Sequence, residues 1–258
     1  MNKKINNNKE TIEVDFGYQN VSAEAKPALV KDIFDKVSNK YDLMNDIMSI
    51  GVHRIWKNRM IDQLRPYQGM RLLDLAGGTG DIALLFFERI GGSQNGQAII
   101  CDLSEQMIKA GQNKSIDKGI LHGISHIVGD AEHIPLSNNS VDACTIAFGI
   151  RNITDKNQAL AEAARVLKPG GRFVCLEFSP SPSPLIEKLY EFYSFALIPI
   201  IGEAIARDRE SYQYLVESIR RFPQPESFAE MISKAGFGGV KWKPMSGGIA
   251  ALHSGWRT

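Results

Sequence analysis

From Met70 onward, short apolar runs alternate with segments whose apolar residues recur every three or four positions. The runs cover residues 70–76, 97–103, 124–130, 141–148 and 172–178. Runs this short and this continuously apolar suit parallel strands covered on both faces. The three-to-four spacing over 82–90, 106–118 and 156–167 predicts amphipathic helices between them, and Lys168-Pro169-Gly170-Gly171 stops the last one. The alternation predicts an α/β fold, a Rossmann-like, doubly wound, mostly parallel sheet. Residues 238–245 and 248–256 add two strand candidates joined through Ser246-Gly247-Gly248, which brings the sheet to seven strands and closes it with a hairpin.

The other segments divide a single domain spanning 1–258. Residues 1–28 read as a loose polar tail and 29–66 as a helical N-terminal segment. Residues 70–178 form the sheet core, 179–230 a helical cap insertion and 231–258 the closing strands. Within the insertion, 183–205 reads as a long apolar and aromatic helix and 211–220 as a polar one.

Composition narrows the function classes. The 258 residues carry 30 Lys plus Arg against 29 Asp plus Glu, a net charge of +1, without the basic excess that phosphate contacts demand of a nucleic-acid binder. The longest apolar stretch, near Phe195 to Ile201, falls short of the roughly 20 residues a bilayer span requires. Cys101, Cys144 and Cys175 each lie inside a strand-like run without metal-ligand spacing, so they read as reduced core residues and no metal site is expected. The opening residues have neither a secretory apolar region nor a good transit signature, which favours a cytoplasmic protein.

The candidate chemistry begins where the first core strand runs into glycines: Asp74-Leu75-Ala76-Gly77-Gly78-Thr79-Gly80-Asp81. Missing side chains let backbone N–H groups approach a ligand at a helix start. The stretch also satisfies the dinucleotide pattern G-x-G-x-x-A, but Asp74 and Asp81 flank the place a pyrophosphate would occupy. A cationic or zwitterionic nucleoside fits better, and S-adenosylmethionine is one. Asp102, 21 residues past the turn, is placed for ribose hydroxyls, with Leu103 beside it. Asp130 and Ala131 are placed for the adenine edge. The plainer alternatives are that Asp81 is a helix N-terminal acid and Asp102 a helix cap.

Three stretches carry a narrower likeness: Tyr41–Trp56, Arg165–Ser179, and Phe148-Gly149-Ile150-Arg151-Asn152 after the fourth strand. With the Asp74–Asp81 turn, in which Ala76 stands where methyltransferases generally have glycine, the chain resembles class I methyltransferases. More closely it resembles the ubiquinone/menaquinone biosynthesis C-methyltransferase family, over about Val30 to Trp256. The resemblance implies a class I fold, S-adenosylmethionine as donor, and methyl transfer to a ring carbon of a polyprenylated quinol. That acceptor is 2-methoxy-6-polyprenyl-1,4-benzoquinol, demethylmenaquinol, or both. It also implies an N-terminal segment folded over the cofactor.

Under that resemblance the donor-binding residues are Asp74, Gly77, Gly78, Thr79, Gly80, Asp81, Asp102, Leu103, Asp130, Ala131 and, through its backbone, Ala147. Arg151, Asn152, Tyr41 and His53 are the catalytic candidates: Arg151 for a phenolate or an activated water, Asn152 for a quinol oxygen, Tyr41 for a hydrogen bond and His53 for base catalysis. Arg151 paired with a carboxylate, Asn152 as a cap and His53 as a packed core residue are the competing structural roles. Candidate partners are the quinol, members of a quinone-synthesis complex, a second copy and a membrane surface at the inner membrane or matrix face. A non-catalytic scaffold, or a methyltransferase with another small acceptor, is the alternative function.

Overall fold

The computed structural model describes residues 12–38, 41–49, 51–180 and 209–258. At its centre is a seven-stranded sheet of β3 (Arg71–Leu75), β4 (Gln97–Asp102), β5 (Ile124–Val128), β6 (Val141–Ala147), β7 (Leu167–Phe178), β8 (Phe237–Met245) and β9 (Ala250–Arg257). The spatial order is β5-β4-β3-β6-β7-β9-β8. The first five strands run parallel, β9 pairs antiparallel with both β7 and β8, and the closing hairpin is the one expected. Chain order reverses between β3 and β6, and such a switch point opens a crevice at the carboxyl ends of the strands. Strand periodicity explains two cores: Leu72 and Leu73 point to opposite faces of β3 and belong to different apolar clusters.

Helices α4 (Asp81–Ile90), α5 (Glu105–Asp117) and α6 (Lys156–Val166) are the crossovers read from spacing. Ser104 caps α5 by accepting from the Met107 N–H at 3.0 Å, and Asp155 caps α6 through the Gln158 N–H at 3.0 Å. The last two described helices are α7 (Arg209–Arg221) and α8 (Pro225–Lys234). Helix α8 was not foreseen: the cap boundary at residue 230 cuts through it. Phe228 and Ile232 on α8 are fully buried in the same cluster as Phe173, so this helix covers the sheet as α6 does. The long apolar helix expected over 183–205 lies outside the described residues.

The N-terminal region holds α1 (Lys26–Val37), α2 (Tyr41–Ser49) and α3 (His53–Leu64), which begins earlier than the boundary at residue 29. The expected loose tail is corrected as well. Its residues 13–22 form an antiparallel hairpin, β1 (Glu13–Phe16) and β2 (Gln19–Ser22). The hairpin is tied down because Phe16 stacks on Tyr214 at 4.4 Å and the Tyr18 N–H donates to Glu217 at 2.9 Å. Helix α3 is clamped at both ends: the Lys57 ammonium meets Asp81 at 2.5 Å, and Arg172 donates to the Gln63 and Leu64 carbonyls at 2.9 Å each. Those last carbonyls have no partner inside the helix, so an arginine fork from β7 satisfies them.

Candidate active site

A cavity opens at the switch point, where open α/β sheets place their ligands. Its walls come from the ends of β3, β4, β5 and β6 and from one face of α1. Asp102, Leu103, Gly129, Asp130 and Ala131 line one side; Ala76 and Gly78 form the floor; Phe148, Gly149 and Asn152 form the other side. Pro27, Val30, Lys31 and Phe34 of α1 complete it, so the N-terminal segment does fold over this space. The side chain of Asp35 on α1 holds Ser104 at 2.5 Å, fastening that helix to the cap of α5.

Asp102 has a structural role of its own. Its Oδ2 accepts from the Gly78 N–H at 2.9 Å and its Oδ1 from the Ser104 N–H at 2.9 Å, so it holds the glycine turn in place. Burial raises its pKa, opposed by these backbone donors. It does not cap the helix; Ser104 does. Asp130 accepts from the Glu132 N–H at 2.9 Å, which closes a tight turn and leaves its second oxygen, 3.7 Å from His133, beside the pocket.

The floor of the pocket is strained. Ala76 has φ 50° and Phe148 has φ 60°, a left-handed conformation that costs ordinary residues roughly 1–2 kcal/mol each. They follow adjacent strands, and a Cβ at Gly149 would come within 2.6 Å of the Ala76 methyl. Backbone strain of this sort gathers at ligand sites. No spacing rule revealed it.

Asp74 and Asp81 play different parts from each other. Asp81 starts α4 and is held between Lys57 and Lys114, each at 2.5 Å, which keeps its carboxyl well below the usual carboxylate range. Neutralised by these two lysines, Asp81 no longer opposes a pyrophosphate by its charge. Asp74 is fully buried, accepts from Thr145 Oγ1 at 2.9 Å, and is pushed up to about 7 by burial. Its Oδ2 and the Thr79 hydroxyl are both buried without a partner among the described residues. Both residues, with Gly77, Ala147 and the paired Lys57 and Asp81, line a small cavity under the turn. Two orphaned polar atoms around a glycine cradle fit a polar, cationic ligand end such as the amino group of S-adenosylmethionine.

The catalytic candidates separate. Asn152 lines the main cavity, and its Oδ1 accepts from the Tyr214 hydroxyl at 3.2 Å. Arg151 does not line it. Its guanidinium lies behind, 2.7 Å from Glu177 and 2.6 Å from the Phe148 carbonyl, so it stabilises the left-handed turn that presents Asn152. His53 is outside the cavity wall, buried, with Nε2 2.9 Å from Asp46, and desolvation lowers its pKa. Tyr41 starts α2, and its side chain lies outside the described residues.

Lys57, Glu177 and Tyr214 went unassigned in the sequence. The signal for the first two was present. Lys57 falls on the stripe of α3 made by His53, Trp56, Met60 and Ile61, and Glu177 interrupts the buried apolar run Phe173–Phe178 of β7. A charge on a buried stripe needs a partner.

A family model described as the ubiE/COQ5 methyltransferase family matches residues 6–257. The chain belongs to this family. It is accordingly a methyltransferase, and S-adenosylmethionine is its methyl donor. Among its relatives in the ubiE/COQ5 family is the ubiquinone/menaquinone biosynthesis C-methyltransferase of Paracoccus denitrificans, 50% identical over 96% of this chain and 98% of that protein. The mitochondrial 2-methoxy-6-polyprenyl-1,4-benzoquinol methylase of Bos taurus is 45% identical over 98% of this chain and 86% of that one. Among solved structures, a possible histamine N-methyltransferase from Thermotoga maritima aligns with a TM-score of 0.63 at 20% identity, covering 89% of this chain and all of that one. The [4+2]-cyclase SpnF aligns with a TM-score of 0.66 at 16% identity, covering 88% and 94%. These two share the fold, and a fold alone does not select the chemistry.

Proposed function

We propose that this chain methylates a ring carbon of a polyprenylated quinol, either 2-methoxy-6-polyprenyl-1,4-benzoquinol of ubiquinone synthesis or demethylmenaquinol of menaquinone synthesis. The observation that carries the reading is one cavity with two unlike walls: carboxylates of β4 and β5 suited to a nucleoside on one side, and the buried amide of Asn152 beside Phe148 on the other. The names of relatives about half identical over nearly the whole chain point to the same acceptor.

Bound S-adenosylmethionine supplies an electrophilic methyl on a sulfonium. The chain supplies position and electrostatics. Asp102 and Asp130 hold the ribose and adenine ends, while Asp74 and Thr79 satisfy the amino-acid end. Tyr214 donates to Asn152 Oδ1, which leaves the Asn152 Nδ2 protons for a quinol oxygen. An oxygen accepting that bond carries the negative charge of a departing proton more easily, and this makes the neighbouring ring carbon nucleophilic. Arg151 and Glu177 act as positioning residues beneath this turn. Tyr41 remains a candidate for contact with the acceptor. No described helix is long and apolar enough to cross a membrane, and contact with a lipid surface that holds the acceptor is part of the proposal.

The test is transfer from methyl-labelled S-adenosylmethionine to chemically reduced, short-tailed quinols of the benzo and naphtho types. Label on ring carbon is expected, and Asn152→Ala should lower kcat/KM about tenfold to a hundredfold with donor affinity unchanged. Donor binding without transfer to either quinol would reject the acceptor class in favour of another small acceptor or a scaffold.

A further inference from the structure

A second, smaller cavity is walled by Tyr214, the residue whose hydroxyl reaches Asn152 of the reaction pocket. Its lining is cationic: Lys26, Lys156, Arg151 and Arg221, against the single carboxylate Asp15. Arg151 is matched by Glu177, and Arg221 stands 4.0 Å from Asp15 at the half-exposed mouth. That leaves the two lysines. Lys26 is only 4% exposed and makes no hydrogen bond among the described residues; Asp15 and Glu132 attract it only through space. The Lys156 ammonium donates to the Ile153 carbonyl at 3.0 Å, and burial together with the Lys26 charge pushes it down to about 8. Glu132 faces the reaction pocket and is engaged by the Asp155 N–H at 2.9 Å.

Two ammonium groups on the lining of one cavity repel one another, and the burial of Lys26 is costly unless a counter-charge enters. They are also the first residues of α1 and α6, so two helix N-termini, where the partial charge is positive, converge on the same cavity. We propose that this cavity binds a small divalent oxyanion with the chemistry of phosphate or sulfate, at a site separate from the methyl donor and acceptor. Such an anion would join α1, which lines the reaction pocket, to the β1–β2 hairpin, α6 and α7.

The experiment is calorimetric titration of the full-length protein with sodium phosphate and, separately, sodium sulfate, in chloride buffer at constant ionic strength, with acetate as a monovalent comparison. Saturable binding of one divalent anion per chain is expected, far weaker with acetate, together with a rise in Tm that grows with anion concentration. Lys26→Met with Lys156→Met should abolish it while S-adenosylmethionine binding is retained. Arg221→Glu, at the tolerant mouth, should weaken it about fivefold. A flat titration of the unaltered protein with both divalent anions overturns the proposal, whether or not the double variant folds. Binding that persists undiminished in Arg221→Glu and in a double variant that still binds S-adenosylmethionine overturns it equally.

Discussion

Burial pushes Asp74 up to about 7, more than the Thr145 hydrogen bond and the Lys57 charge offset, and its second oxygen has no partner among the described residues. A cationic amino group arriving beside it favours the carboxylate, so donor binding should release a proton. The sign follows from linkage: affinity for S-adenosylmethionine rises as pH climbs from about 6 to 8, through the free-protein pKa of about 7. Calorimetry in buffers of different ionisation enthalpy reads this directly, and Asp74→Asn should flatten the dependence. Asp102 works differently, since it orders the turn as well as lining the cavity. Asp102→Ala strips the Gly78 and Ser104 N–H groups of their acceptor, and donor affinity should fall about tenfold to a hundredfold by titration.

Helix α3 shows how an element outside the sheet becomes part of the site. Its buried stripe carries Trp56, which packs edge-on against Phe178 at 5.9 Å, and Lys57, which anchors the first residue of α4. Removing one partner of a buried ion pair strands the other, although Lys114 still covers Asp81. Lys57→Met should therefore cost about 2 kcal/mol by urea denaturation, with a weaker hold on the donor because α4 starts directly after the glycine turn. The strained turn offers the opposite change. Ala76→Gly removes a Cβ from a left-handed residue, and a gain of about 1 kcal/mol in stability is expected from the same measurement.

Across the whole molecule, the closing hairpin carries a pH response remote from the chemistry. His253 on β9 is enclosed by Phe228 and Trp242 and bonded to the Pro225 carbonyl at 3.0 Å, and burial pushes it down to about 4. Between 6.5 and about 4 the unfolded chain binds a proton that the folded chain refuses. The stability due to the neutral ring is thus fully present above pH 6.5 and is lost as pH falls toward 4, with a ceiling of about 3 kcal/mol. Urea midpoints measured across that window should show the loss in the natural chain and a shallower slope in His253→Gln. Asp74 contributes in the opposite sense, losing stability as pH rises from 3.8 toward 7, so the two are separated by comparing variants rather than by one curve.

The βα alternation, the closing hairpin, the carboxylates at the ends of β3 to β5 and the Asn152 segment were all legible in the amino-acid sequence, because each depends on periodicity or on residue type within a short window. Which groups pair depends on residues far apart in the chain that the fold brings together, and so it belonged to the tertiary structure alone. Arg151 reads as a substrate contact until Glu177, 26 positions away, takes its guanidinium. Asp81 reads as a free negative charge until Lys57 and Lys114 close on it. The tail around Val14 and Val21 reads as loose because four-residue strands carry little pattern, and only the faces of Tyr214 and Glu217 on α7 give them something to pair against. Local pattern determined where the chain turns, coils and extends; burial and charge pairing across the fold decided which of its polar residues face a ligand and which hold the frame.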